Sequence, residues 1–322
     1  MKITKLSNDF APIDKGIFFN IDTEDSTPAT IIVEIIDSLT SEVVATQQLR
    51  EITSARVNIV PYLPQFKEYE PMQNYCTAFS VAPYARYKIR VDGVESEDIT
   101  VSVNKVEIEN TPTIISTMPS IRRISHGECD EVLVFAGEER DIYAEITADT
   151  GEQLNLEHHT TSGANILTIS TKDFGADIHT LEVVLYCEDE VFGSLRYRVT
   201  PPIKTATRLA WLSDKGSIER YSFPVTHKTK QTVERRTIIT TEGPQTSQCH
   251  TKQVLSLASR FEPSDTIAAL AQIASSTKVW REHNGALESI EVATQTIEQD
   301  LFGAPDSLCI DICALNKEEG IW

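Results

Sequence analysis

Apolar and polar residues alternate with a period of two along most of the chain. Around position 89, for example, Tyr87, Ile89 and Val91 alternate with Lys88 and Arg90. Because successive side chains of a strand point to opposite faces, this alternation predicts strands with one buried face. The alternation resumes after an Asp-Gly turn, so residues 86–104 are predicted to form a hairpin. Further strands are predicted at 16–22, 30–36, 42–49, 55–60 and 77–82.

A second block of the chain repeats this plan. Its predicted strands lie at 131–136, 141–147, 163–171, 181–187 and 191–199. The last two form a predicted hairpin over 180–200, in which Leu181, Val183 and Leu185 share one face and Pro201-Pro202 ends the strand. The hairpins at 86–104 and 180–200 predict the same closing hairpin in two tandem sandwiches of the immunoglobulin or fibronectin type.

The third block contains the one helical pattern. Ile267, Leu270, Ala271 and Ala274 have the spacing i, i+3, i+4 and i+7, which predicts a helix over about 265–275. The surrounding strands are predicted at 206–212, 217–223, a long polar pair near 229–240 and 249–256, then 277–281, 287–293 and 306–314. This combination predicts a β-rich α+β domain with one packed helix.

These blocks predict a mainly β protein of three domains. The chain has 322 residues, and domains usually contain about 100–200. We expect a β-sandwich domain over 1–110, a second one over 111–202, and the β-rich C-terminal domain over 203–322. Pro112 and Pro119 bracket the first boundary.

The charge of the chain limits the partners that it can bind. The net charge is −19, from 29 basic and 48 acidic side chains, which disfavours nucleic acid and anionic membranes as partners. Residues 201–260 carry ten Lys and Arg against four Asp and Glu, whereas residues 261–322 carry three against eleven. Opposite charges in adjacent segments suit contacts between copies, although two solvated faces would give the same pattern.

The sequence predicts neither a signal peptide nor a membrane span. The first 20 residues have no apolar stretch long enough for a signal peptide, and the apolar run at 267–274 is far short of the ~20 residues that a bilayer needs. Phosphate-binding loops, a Gly-x-Ser-x-Gly elbow and a His-Glu-x-x-His zinc motif are all absent from the sequence. We therefore predict a non-enzymatic protein with no catalytic, cofactor-binding or metal-ligating residue.

Two pairs of residues contain side chains that can bind metal ions. His126 and Cys129 are one pair, but a structural zinc needs four ligands and no second pair with fixed spacing is present. They are interpreted as part of a turn at Gly127 between strands. His158 and His159 would point to opposite faces of a strand, so they are interpreted as solvated residues of a loop or strand end.

Two acidic pairs and one cysteine pair are further candidates for chemistry. Glu138-Glu139 and Asp189-Glu190 could suggest glycosidase carboxylates, but such acids face each other about 5–10 Å apart across a cleft, and both pairs fall at predicted turns. Cys309 and Cys313 lie on one face of a predicted strand, about 13 Å apart. That separation exceeds the roughly 7 Å between Cα atoms that a disulfide allows.

A basic stretch near the centre of the third block predicts an exposed β-arm. His227-Lys228-Thr229-Lys230 is followed by Arg235-Arg236, but residues 226–241 contain no aromatic residue, which single-stranded nucleic-acid surfaces use for stacking. An arm with so few apolar residues needs a partner strand to cover it. We therefore expect a homo-oligomer with contacts through the third domain, the alternative being a hairpin that folds back within a monomer.

Two stretches of the third block have a recognisable order of residues. In residues 208–223, Trp211-Leu212, Gly216, Tyr221 and Phe223 occupy the positions of a strand, a turn and a second strand. In residues 253–322 a short predicted helix precedes Val279-Trp280. Both stretches resemble tail-associated structural proteins of phages and prophages from Bacteroidetes-type bacteria. The four aromatic residues Trp211, Tyr221, Phe223 and Trp280 are themselves expected in the core of the third domain.

This resemblance implies a structural component of a phage tail, baseplate or related virion assembly that has no cofactor. Its implied partners are other copies of itself and other virion or tail proteins, with no nucleic acid and no membrane. Its implied location is the virion, or the bacterial cytoplasm during assembly. The alternative function is a β-sandwich module that binds carbohydrate or protein on a bacterial cell surface.

Overall fold

The computed structural model describes residues 1–322 except 8–10, 13–15, 26, 64–70, 72–75, 82–85, 103–111, 137–138, 161–162, 242, 284–285, 298–305 and 315–322. Strands dominate the described residues, which contain one α-helix. The predicted mainly β fold, with sandwiches followed by a β-rich domain that has one helix, is therefore confirmed. The predicted boundary near residue 110 lies outside the described residues.

The first sandwich is built from the first 102 residues. Their described strands are β1 (Lys2–Lys5), β2 (Ala11–Pro12), β3 (Phe18–Asp22), β4 (Ala29–Asp37), β5 (Val43–Ile52), β6 (Ser54–Asn58), β7 (Ala78–Val81), β8 (Arg86–Val91), β9 (Val94–Glu95) and β10 (Ile99–Ser102). One sheet has the order β1-β3-β6, and the other has the order β2-β10-β8-β4-β5 with β9 paired to β8. Alternate residues of these strands, among them Phe19, Ile35 and Ile89, fill the core between the sheets.

The second sandwich follows with eight described strands. They are β11 (Thr113–Ile115), β12 (Ile121–Ser125), β13 (Cys129–Ala136), β14 (Arg140–Ala148), β15 (Gln153–Thr160), β16 (Gly163–Ser170), β17 (Thr180–Cys187) and β18 (Glu190–Thr200). One sheet contains β11-β13-β16, and the other has the order β12-β18-β17-β14-β15. Ile146, Leu167, Leu185 and Tyr197 belong to the core between them.

The two sandwiches share one topology. In each larger sheet an edge strand pairs in parallel with the last strand of the domain, β2 with β10 and β12 with β18. That last strand belongs to the closing hairpin, whose other strand, β8 or β17, is next in the sheet. The antiparallel pair β4–β5 or β14–β15 then completes the sheet. The predicted closing hairpins therefore occupy equivalent places in both domains, over their described residues, and the predicted structural repeat is confirmed.

Strand β7 departs from this repeat. The predicted strand at 77–82 forms over its described residues, but it pairs with β16 of the second sandwich, where Phe79 lies opposite Leu167. The expectation that it completes the first sandwich is therefore wrong. Its position is fixed further by the Ser170 amide, which donates to Oγ1 of Thr77 at 2.9 Å. The chain thus adds a strand to the second sandwich before it returns to the first.

The third domain is one large antiparallel sheet with a helix on it. Its strands are β19 (Thr207–Leu212), β20 (Ile218–Phe223), β21 (Val225–Thr240), β22 (Gly243–Ala258), β23 (Val279–His283), β24 (Ala286–Val292) and β25 (Cys309–Ala314), in the order β20-β19-β23-β24-β25-β22-β21. Helix α1 spans Ser264–Ala271, and a 3₁₀ turn over Gln272–Ala274 completes the predicted helix. Ile267 and Leu270 of the helix are buried against the sheet.

The opposite face of this sheet packs against the second sandwich. Trp211 lies on the helix side, whereas Trp280 joins Leu133 and Phe135 in an apolar cluster between the two domains. Trp280 is buried as expected, but it packs against the second sandwich as well as its own domain, because its strand is covered on both faces. Strands β13 and β19 are buried along their whole lengths for the same reason.

Candidate functional site

Strands β21 and β22 extend past the rest of the third sheet as a two-stranded ribbon. They pair from Val225 opposite Ala258 to Thr240 opposite Gly243, whereas β25 pairs with β22 only over residues 254–258. We call the extension, residues 228–253, the β-arm. From Lys230, which lies opposite Val254, to Thr240 the ribbon spans ten residues, or roughly 33 Å at ~3.3 Å per residue.

The described side chains of the β-arm are mostly exposed. Val233, Ile238 and Ile239 are 43%, 47% and 90% exposed, so its few apolar residues enter no core. The predicted long polar strand pair is thus present as a hairpin. Over residues 228–253 neither strand of the β-arm pairs with a third strand in the described part of the chain. The outer backbone groups of both strands are therefore available to a partner strand.

The base of the β-arm is held to the sheet by a polar contact. Nζ of Lys230 lies 3.1 Å from Oδ2 of Asp311, and the hydroxyl of Ser256 donates to the other oxygen of that carboxylate. The hydrogen bond from Ser256, with a further contribution from Lys230, holds the pKa of Asp311 below its usual range. Leu257 at the same level is fully buried, so the ribbon starts from a fixed point.

Two irregularities in the pairing of β21 with β22 mark the ends of a straight segment of the β-arm. The pairing shifts register between Thr226 and Lys228 and again between Arg236 and Thr237. Residues 228–236 of β21 therefore form an uninterrupted strand of nine residues. Past the second irregularity the hairpin turns at Thr241 and Gly243, and the φ of Gly243 is +107°.

Buried ion pairs fix the third domain, and with it the β-arm, to the second sandwich. Arg220 pairs with Glu131, and both side chains are 2% exposed. Nη1 of Arg208 donates to Oε2 of Glu128 at 2.7 Å, and its Nη2 donates to the carbonyl of Cys129. Burial raises the pKa of the Cys129 thiol, which is therefore kept protonated and unreactive.

A second buried group holds the segment between β11 and β12 of the second sandwich against the third domain. Oε1 of Glu219, from β20, accepts hydrogen bonds from the hydroxyls of Ser116 at 2.8 Å and Ser217 at 2.7 Å. Nη1 of Arg122 lies 2.9 Å from Oδ2 of Asp130 and 3.9 Å from Oε2 of Glu219. The contact between Ser116 and Glu219 joins the second sandwich to the third domain, and the other contacts hold these side chains in place. The group therefore stabilises the junction between these two domains.

The structure separates the residues that the sequence suggested as metal ligands. Gly127 turns the chain with φ at +91° between β12 and β13, as the sequence predicted. His158 and His159 lie in the last three residues of β15, which agrees with the predicted strand end and excludes a loop. His158 stacks on Phe79 at 5.0 Å, whereas His159 points to solvent and its Nδ1 lies 2.7 Å from Oδ1 of Asp141. Among the described residues, no three His, Cys, Asp or Glu side chains are placed to hold a metal ion.

The remaining candidates are equally scattered. Cys309 is exposed and Cys313 is buried, towards opposite ends of β25. Asp189 lies in the turn before β18, and Glu190 begins that strand. Glu138 lies outside the described residues. The buried ion pairs were not predicted from the sequence.

Comparison with known proteins finds a distant likeness to a solved structure. No protein-family model matches the chain, and no curated protein matches it. A similar solved structure is alpha-2-macroglobulin of E. coli in its native conformation, at 9% sequence identity and a TM-score of 0.22. The match covers 92% of this chain and 25% of that protein, so the chain spans about a quarter of its length. A TM-score this low supports no conclusion about fold or function.

Within the described residues, no helix is long and apolar enough to cross a bilayer.

Proposed function

We propose that this protein is a structural component of a phage tail, baseplate or related virion assembly, and that it acts through protein–protein contacts. The observation that carries the proposal is the β-arm, a ribbon that extends roughly 33 Å past its sheet with exposed side chains. A ribbon with open backbone edges and no core of its own is suited to pairing with another chain.

The rest of the molecule supports a role as a rigid building block. Buried pairs such as Arg220–Glu131 join the third domain to the second sandwich, and β7 ties the second sandwich to the first. A stiff body transmits position from one contact to the next, which an assembly component requires. The resemblance of residues 208–223 and 253–322 to tail-associated proteins directs the proposal to a phage-type particle.

The alternative of a carbohydrate-binding surface module has less support. Sugar platforms usually need a cluster of exposed aromatic rings. In the described part of the chain, the exposed aromatic side chains are Tyr62 in the first sandwich and Phe261 in the third domain. They belong to different domains, so neither sandwich presents a described pair of exposed rings.

Purified particles test the proposal directly. Particles induced from the strain that encodes this chain should contain it in stoichiometric amounts by mass spectrometry. A gold-labelled antibody against the chain should mark the tail or baseplate in electron micrographs. Recovery of the chain only from the cell surface, with none in purified particles, would contradict the proposal and favour the surface module.

A further inference from the structure

Strand β15 of the second sandwich has an open backbone edge. The amide of Ala148 donates to the carbonyl of Glu152 at 2.9 Å, so these two residues form a hydrogen-bonded pair. In an antiparallel ladder such pairs recur at every second residue. Residues 154, 156 and 158 of β15 therefore bond to β14. Asn155 and Glu157, together with Gln153 and His159, turn their amide and carbonyl groups outward, where no described strand pairs with them.

Among the described residues, this edge has none of three features that commonly oppose strand addition. Natural edges are blunted by bulges, by Lys or Pro residues, or by short length. Strand β15 has eight residues, contains neither Lys nor Pro, and pairs with β14 without a register shift. The topologically equivalent edge of the first sandwich, β5, pairs with β4 through two register shifts. The two repeats therefore differ at the same place, and only the second has a straight edge.

The surface around β15 is acidic. Glu157 is exposed on the strand itself. Asp141 on β14 is 84% exposed, and Glu188, in the turn between β17 and β18, is 76% exposed. Glu139 is exposed at the start of β14, and Glu145 lies on the same sheet face as Asp141. A strand that pairs with β15 would therefore lie beside several carboxylates.

The β-arm has the length and the charge to complement this edge. Its uninterrupted segment, residues 228–236, has nine residues against the eight of β15. Residues 228–253 contain five Lys and Arg against two Asp and Glu, a net charge of +3. Since the whole chain carries −19, all other residues together carry −22. Two β-arms would repel each other, whereas a β-arm and the β15 edge attract.

We propose that the β-arm of one copy adds as an extra strand to the β15 edge of a second copy. The proposal deepens the proposed function and rests on it, since it names the partner surface through which copies join. The contact is head-to-tail: the third domain of one copy meets the second sandwich of the next. Contacts of this kind build rings or open filaments, according to the rotation between copies.

A proline placed on the edge tests the contact. At position 155 the amide points outward, so Asn155→Pro removes a donor needed by an added strand while the β14–β15 ladder keeps its own bonds. Asn155→Thr is the matched control, because threonine suits a strand and keeps the amide. In light scattering of the full chain at low salt, mass should rise with concentration for wild type and Asn155→Thr. Asn155→Pro should weaken association by about tenfold or more.

Charge reversal tests the same contact without a proline. Arg235→Glu with Arg236→Glu, and separately Glu157→Lys with Asp141→Lys, should each abolish self-association, whereas a mixture of the two variants should associate again. About 1 M salt, where charges are screened over about 3 Å, should weaken all of these assemblies. Circular dichroism confirms that each variant is folded.

The outcomes separate this inference from the proposed function. A wild-type chain that stays monomeric at every concentration, or an Asn155→Pro variant that associates as Asn155→Thr does, overturns the β15 contact. The presence of the chain in virions is measured independently, by mass spectrometry and gold labelling. If particles contain the chain but Asn155→Pro does not weaken self-association, only the inference is overturned. If Asn155→Pro weakens self-association but particles lack the chain, only the phage assignment is overturned.

Discussion

Arg220 of the third domain and Glu131 of the second sandwich form an ion pair in which each side chain is 2% exposed. The pair lies beside the apolar cluster that contains Trp280, so its two charges are withdrawn from water together. Removing a single partner from such a pair leaves a charge buried without compensation, which costs far more than the loss of a surface pair. The junction between these domains is therefore sensitive to single substitutions.

Arg220→Met should destabilise the junction by about 3–5 kcal/mol, because it leaves the Glu131 carboxylate buried and unpaired. Guanidinium unfolding followed by tryptophan fluorescence measures this, since Trp211 and Trp280 both lie in the third domain. Arg196→Met is the matched control.

The control removes an exposed contact, since Arg196 lies 3.6 Å from Glu182 with both side chains more than half exposed. We expect it to change the free energy of unfolding by at most about 1 kcal/mol. Equal effects of the two substitutions would show that the buried pair is not a determinant of stability. A double variant, Arg220→Met with Glu131→Leu, should recover much of the loss.

His159 on the β15 edge should titrate above its ordinary range. The hydrogen bond to Asp141 raises the pKa of His159. Because the pKa of His159 is higher in the folded state, the pair stabilises the fold fully at a pH below the pKa of the unfolded state. This contribution is lost as the pH rises through the pKa of the folded state. Asp141→Asn should lower the pKa toward the ordinary value near 6.5. NMR titration of the imidazole protons measures it, and an unchanged pKa in Asp141→Asn would refute the pairing.

Most strands could be predicted from alternation, because burial of one sheet face imposes a period of two. Strands β19, β20 and β24 begin and end within a residue of their predicted bounds. Strand β15 was missed, since Leu154 and Leu156 are its only strongly apolar residues and both histidines suggested a loop. Strand β7 was predicted but assigned to the wrong sandwich, because alternation identifies a strand and not its partner.

The buried charges at the domain junction could not be predicted from the sequence. Arg208 lies between Thr207 and Leu209, and Arg220 lies between Glu219 and Tyr221. Exposed charges on a half-buried strand have the same mixture of polar and apolar neighbours. These two arginines are buried because the second face of the sheet meets another domain, and this long-range packing leaves no local pattern. The β-arm was predicted for the converse reason: a long strand pair with few apolar residues has no core to join.

Gly243→Ala should weaken only the end of the β-arm. Gly243 has φ at +107°, a conformation that residues with a side chain rarely adopt, whereas nothing described lies within 4 Å of an added Cβ. The cost is therefore backbone strain of about 1–3 kcal/mol, confined to the turn. Hydrogen exchange should become faster for amides near residues 238–246, while the thermal midpoint of the whole protein stays unchanged. A lowered midpoint would show that the arm contributes to global stability.

The β-arm should be removable without unfolding the protein. A deletion of residues 231–253 that joins Lys230 to Val254 through Asn-Gly would replace the ribbon with a short hairpin turn, and these two residues already lie opposite each other. Lys230 keeps its contact with Asp311, Leu257 stays in the core, and the described part of the deleted segment contributes no buried apolar side chain. The thermal midpoint should therefore stay within a few degrees of that of the full chain. Light scattering should at the same time show a monomer at concentrations where the full chain associates. A deletion variant that associates as the full chain does would exclude the β-arm as the contact between copies. One that fails to fold, as judged by circular dichroism, would show that the ribbon belongs to the folded core of the third domain.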